Sequence, residues 1–172
     1  MPYLKSGLIV AVASVMFAVM PMSAFAGAIN TDVPDKVDPT KRYLIYLHGA
    51  WPESHALSDP HPKRGKYEYE QILTALAARD FEVISELRRI KTNPRKYARE
   101  RVMPQIKSLI DKGVPANRIT VVGFSKGGGM VLTLLSLAKQ PELNFVNLAG
   151  CGKGQFRKAY DSVLANDAAK MQ

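Results

Sequence analysis

The chain has 172 residues, room for one domain, and carries 24 Lys and Arg against 15 Asp and Glu, a formal charge of +9. Apolar residues make up 47%, without internal repeats or low-complexity tracts, which excludes a disordered or fibrous chain. Neither G-x-x-x-x-G-K-[ST] nor G-x-G-x-x-G followed by an acid about 20 residues on is present, which excludes those two nucleotide-binding designs.

In chain order, Met1 to Ala26 reads as a secretory leader. Lys5 gives a positive start, Leu8 to Val19 is an apolar run, and Ala24-Phe25-Ala26 is a small-x-small cleavage site. The apolar run approaches the length of a membrane span, so an uncleaved anchor is the alternative. Pro21 and the placement of the cleavage site favour removal, leaving a secreted or periplasmic chain without a stable membrane span. Gly27 to Lys41 is polar, with Pro34 and Pro39, and reads as a loose lead-in.

Arg42 to Leu47 is a near-continuous apolar strand. It opens into a loop from His48 to about Lys63 that holds all three histidines, His48, His55 and His61. Lys66 to Arg79 reads as a helix with Tyr69, Ile72, Leu73, Leu76 and Ala77 as its buried stripe. Phe81 to Leu87 reads as a second strand. Asn93 caps a helix with Pro94 at its first position, running to about Lys112, and Gly113 is its stop. Pro104 lies inside that helix and predicts a kink near Glu100. Eight basic residues lie between Arg88 and Lys107 with only Glu100 among them, a pattern expected of a solvated helix face; attraction to anionic partners is the alternative. No recognition motif supports nucleic acid as a partner.

Arg118 to Gly123 reads as a third strand, covered on both faces, and Lys126 to Gln140 as a helix apolar nearly all round. Asn144 to Ala149 is a fourth strand, and Gln155 to Met171 a helical tail with one apolar face. Strands alternating with helices predict an α/β fold, a parallel sheet with helices on both faces in a three-layer sandwich. Cys151 is the only cysteine, read either as a small buried hydrophobe or as half of a pair whose partner is not in this sequence.

Between the third strand and its helix stands Gly123-Phe124-Ser125-Lys126-Gly127. A strand that turns straight into a helix crowds its backbone, and small residues two positions either side of Ser125 prevent collision. The turn lifts the hydroxyl above the sheet and leaves the Lys126 N–H at a helix N-terminus, where it can face a developing oxyanion. With Tyr43-Leu44-Ile45-Tyr46-Leu47-His48-Gly49 upstream, this segment resembles the nucleophile elbow of the bacterial α/β-hydrolases, and the resemblance covers roughly Lys41 to Gly152.

The resemblance implies a serine hydrolase acting on a small-molecule ester or related acyl bond. Ser125 is the implied nucleophile, the backbone N–H groups of Lys126 and of Ala50 or Trp51 form the oxyanion hole, and His48, Gly49, Gly123 and Gly127 support them. No cofactor or metal is implied; His55, Asp59 and His61 are the nearest approach to a ligand cluster, and their spacing matches no known site. In that family the acid and the histidine follow the serine, yet no histidine follows Ser125, and Asp161 and Asp167 fall in the tail helix. The chain therefore reads as the N-terminal part, residues 42–172, of a longer hydrolase. Ser125 is then a nucleophile whose partners lie outside the chain. Alternatively it is served by one of the three upstream histidines with Asp59 as orienter, or it is inert in a non-catalytic binding or accessory domain. The oligomeric state is left open.

Overall fold

The computed structural model describes residues 26–150, together with Arg157 and Asp161. The expected leader up to Phe25, Cys151 and the expected tail helix fall outside the described residues, except that Arg157 and Asp161 are helical and pair at 2.9 Å. Five strands form one wholly parallel sheet: β1 Ile29–Asn30, β2 Arg42–Leu47, β3 Phe81–Ile84, β4 Ile119–Phe124 and β5 Asn144–Leu148, in spatial order β1-β3-β2-β4-β5. The helices are α1 Tyr69–Ala77, α2 Pro94–Tyr97, α3 Met103–Asp111 and α4 Lys126–Leu137. This is the expected α/β class, with one strand more than the sequence suggested.

The alternation of side chains along β2 divides the core in two. Tyr43, Ile45 and Leu47 face one way and pack with Ile106 and Leu109 of α3 and Met130 and Leu134 of α4. Leu44 and Tyr46 face the other way, onto Tyr69, Leu73 and Ala77 of α1. Both faces are buried, which is why β2 reads as an unbroken apolar run. A right-handed crossover reverses face when the chain reverses direction across the sheet. The β2-to-β3 step and the β3-to-β4 step run in opposite directions, so α1 lies on one face and α3 and α4 on the other. That reversal puts the C-terminal ends of β2 and β4 side by side at a topological switch point, where open α/β sheets hold their ligands.

The lead-in differs from its reading as loose. Ile29 and Asn30 pair with Val83 and Ile84, and the Gly27 N–H donates to the Ala77 carbonyl at 2.9 Å. The Asp32 carboxylate accepts from Arg101 and Gln105 at 2.8 and 2.9 Å. Two residues of strand are too few to show a period in the sequence, and the segment is fixed by these long-range bonds.

Asn93 caps α2 as expected, its side chain accepting from the Lys96 N–H at 3.0 Å. The Pro104 effect takes a definite form: Ala98–Val102 is a π-helical segment between α2 and α3. Pro104 has no N–H to give Glu100, and the widened turn absorbs the missing bond. The strand Phe81–Leu87 ends early, at Ile84, and the helix Lys126–Gln140 ends at Leu137. No helix among the described residues is long and apolar enough to cross a membrane.

Candidate functional site

Ser125 occupies the turn between β4 and α4 with φ 53° and ψ −110°, a backbone state side chains rarely adopt. Three fixings hold it there. Its N–H donates to the Leu148 carbonyl at 2.8 Å, its carbonyl accepts from Gly129 at 3.0 Å, and the turn closes on itself where Gly123 meets Gly127. A Cβ on Gly123 would strike the Gly127 carbonyl, and one on Gly127 would strike the carbonyl of Leu47. Gly127 thus serves two contacts, one that closes the turn and one that sets it against the end of β2. Gly127→Ala is expected to cost about 2–3 kcal/mol in urea unfolding, because rigid backbone has to give way.

The loop after β2 stands beside this turn. A Cβ on Gly49 would lie 3.6 Å from the Ser125 Cβ. Ala50 precedes a short 3-10 turn, Trp51–Glu53. Trp51 and Lys126 each begin a helical element, so their N–H groups have no acceptor within it. Among the described residues, the N–H groups of Ala50, Trp51 and Lys126 donate to no other group. The expected oxyanion donors are thus unspent, and all three residues adjoin the serine turn or the loop beside it.

These elements border a cleft of about 620 Å³ whose wall includes Gly49, Ala50, Trp51 and Ser125. Its floor is apolar: Ile72 and Leu76 from α1, Val122 and Phe124 from β4, and Leu148 from β5. The volume lies within the range of small-molecule sites.

His48 is fully buried and takes no part as a base. Its Nε2 accepts from the Arg88 backbone N–H at 3.0 Å, so the ring proton sits on Nδ1 and donates to the Gly49 carbonyl at 2.7 Å. Burial, and next the Arg88 charge, push its pKa down from the ordinary 6.5 to about 3. In the unfolded chain the same ring takes a proton as the pH drops through 6.5, while the folded protein refuses it until about 3. Acid therefore favours unfolding, by about 1.4 kcal/mol per pH unit, or about 2 kcal/mol between pH 7 and pH 5. Urea midpoints at those two pH values, compared with His48→Asn, measure this; a wild-type slope equal to the variant's refutes it.

Neither of the other two histidines hydrogen-bonds the Ser125 hydroxyl. His61 accepts the Lys63 N–H on Nδ1 at 3.1 Å, so its neutral ring already carries the proton on Nε2. His55 stacks on Trp51 at 3.5 Å, its Nδ1 lying 3.0 Å from the Ser54 hydroxyl. Asp59 touches neither ring: its carboxylate accepts from the Ala56 N–H at 3.1 Å. No hydrogen bond to the Ser125 hydroxyl is found among the described residues. His55, His61 and Asp59 form no group that could hold a metal ion.

The sequence reading missed a buried charge cluster behind the site. Arg88, taken with its neighbours as part of a solvated face, has a side chain only 1% exposed. It donates to the His48 carbonyl, to the Gly49 carbonyl at 3.1 Å and to Glu53 at 3.0 Å. Glu53 also pairs with the Lys126 ammonium at 2.5 Å. The Lys126 side chain is thus turned to Glu53, as suits a residue whose part at the site is its backbone. Arg101 too is engaged, with Asp32 and Glu86. The other six basic residues of the run, Arg89, Lys91, Arg95, Lys96, Arg99 and Lys107, are exposed. The one available signal for Arg88 was its place immediately after an apolar strand, among the loops at the sheet's C-terminal rim.

Comparison of the chain with protein-family models, with characterised proteins and with solved structures finds no match.

Proposed function

We propose that the protein is a serine hydrolase of the α/β-hydrolase type, acting on an ester or related acyl bond. The observation that carries this reading is the backbone of Ser125, held at φ 53° on a strand-to-helix turn beside three unspent N–H groups. Strain of this kind costs about 1–3 kcal/mol and persists where the surroundings enforce it, commonly at reactive groups. Ser125 Oγ attacks the acyl carbon, and its proton passes to a base. The carbonyl oxygen takes the negative charge and is held by the N–H of Lys126 with that of Ala50 or Trp51. The alcohol leaves with a proton, and water then releases the acid from the acyl-serine. The apolar floor suits an acyl chain.

No described residue hydrogen-bonds the Ser125 hydroxyl, and that observation favours a second reading, a non-catalytic binding or accessory domain. A fluorophosphonate probe separates the two when applied to the protein expressed from its own locus, with whatever sequence that locus encodes past Gln172. Labelling of the Ser125 peptide, seen by mass spectrometry, supports the hydrolase. A folded protein that stays unlabelled removes the catalytic reading and leaves the binding one.

A further inference from the structure

Glu53 stands where three rim loops meet. It closes the 3-10 turn after β2, its Oε1 accepts from Arg88 in the loop after β3, and its Oε2 accepts from Lys126 at the head of the helix after β4. Its side chain is only 5% exposed, and the Lys126 side chain 19%. Ala50 and Trp51 belong to the first of these segments and Lys126 to the third. Apart from the register of β2 with β4, the Glu53–Lys126 bond is the polar link between the loop after β2 and the first residue of α4. A carboxylate shared by two cations in a site shielded from water has strong directional bonds and little freedom.

We propose that Glu53 is a positioning residue. Its carboxylate fixes the loop after β2 against the start of α4, so that the two halves of the oxyanion cradle are set for one oxygen. The inference rests on the reading of Ser125 as nucleophile. A displacement of about 1 Å between groups that must act together lowers reactivity on the order of 10²-fold. Loss of the link therefore appears in the chemical step and spares probe binding, which depends on the apolar floor.

The test measures the two constants of fluorophosphonate labelling in the natively expressed protein, the maximal inactivation rate and the half-saturating probe concentration. Glu53→Gln keeps the shape and removes the charge. It is expected to slow the maximal rate about 10- to 100-fold and to leave the half-saturating concentration within about twofold. Lys126→Met removes the other end of the link while keeping the backbone N–H, and the same fall is expected. The double variant should be no slower than Glu53→Gln alone, because the Lys126 link is already lost in that variant, which also weakens the Arg88 bond. A maximal rate within twofold of wild type in either single variant overturns the positioning role and leaves the Ser125 reading standing. If Glu53→Gln fails to fold, Lys126→Met alone decides. A folded wild type that is never labelled overturns the Ser125 reading, and this inference with it.

Discussion

Ser125→Ala is expected to abolish fluorophosphonate labelling and to lower ester hydrolysis on the order of 10⁴–10⁶-fold, the scale seen when an acyl-transfer nucleophile is removed. Its stability should stay within about 0.5 kcal/mol of wild type, since alanine inherits the same positive φ and no hydrogen bond of the hydroxyl is lost among the described residues. Ser125→Gly sharpens the experiment. Glycine tolerates φ 53° freely, so it should remove reactivity and raise stability by about 1 kcal/mol. Opposite movements of activity and stability at one position would show strain kept for the sake of a reactive group. A stability gain in Ser125→Gly without any loss of labelling would mean that another residue takes the probe.

Arg88→Met should be the most damaging single change to stability, about 3–5 kcal/mol in urea unfolding. The substitution keeps an apolar stem and removes the guanidinium, leaving the His48 carbonyl without its donor, the Gly49 carbonyl with the His48 ring N–H alone and Glu53 with Lys126 alone. Arg88→Lys should recover only part of the loss, because one ammonium cannot span two carbonyls and a carboxylate as a planar fork does. A cost below about 1 kcal/mol for Arg88→Met would show that the cluster is solvated and marginal.

Much of the fold was legible because its signals are local. The apolar run of β2, the cap at Asn93 and Pro94, the stop at Gly113 and the glycine-flanked turn at Ser125 each follow from neighbouring residues. The glycines at 123 and 127 were readable as a close approach, though the surface that Gly127 approaches, the end of β2, is a matter of topology. What was not legible depends on distant partners. β1 has two residues and owes its place to β3 and to the Asp32 bonds. Arg88 looks like any other basic residue in a run of eight until the turn after β3 sends it inward. Glu53 carried no signal at all, since a glutamate in a proline-rich loop is ordinarily solvated, and only the meeting of three loops makes it a junction. The histidines carry the opposite lesson: clustering in one loop suggests a base, whereas the partners of each imidazole are backbone, hydroxyl or indole groups nearby and not the Ser125 hydroxyl.

If the chain is cut after Ala26, as its sequence predicts, the anchoring of residues 27–30 bears on the timing of that cut. A peptidase that severs the chain after Ala26 must grip extended backbone on both sides of the scissile bond. In the folded protein Gly27 is pressed against the Phe81 carbonyl and bonded to Ala77, and Ala28 donates to Glu82. These bonds leave a protease little slack to draw upon, so a cut at that point would have to come before β1 zips onto β3.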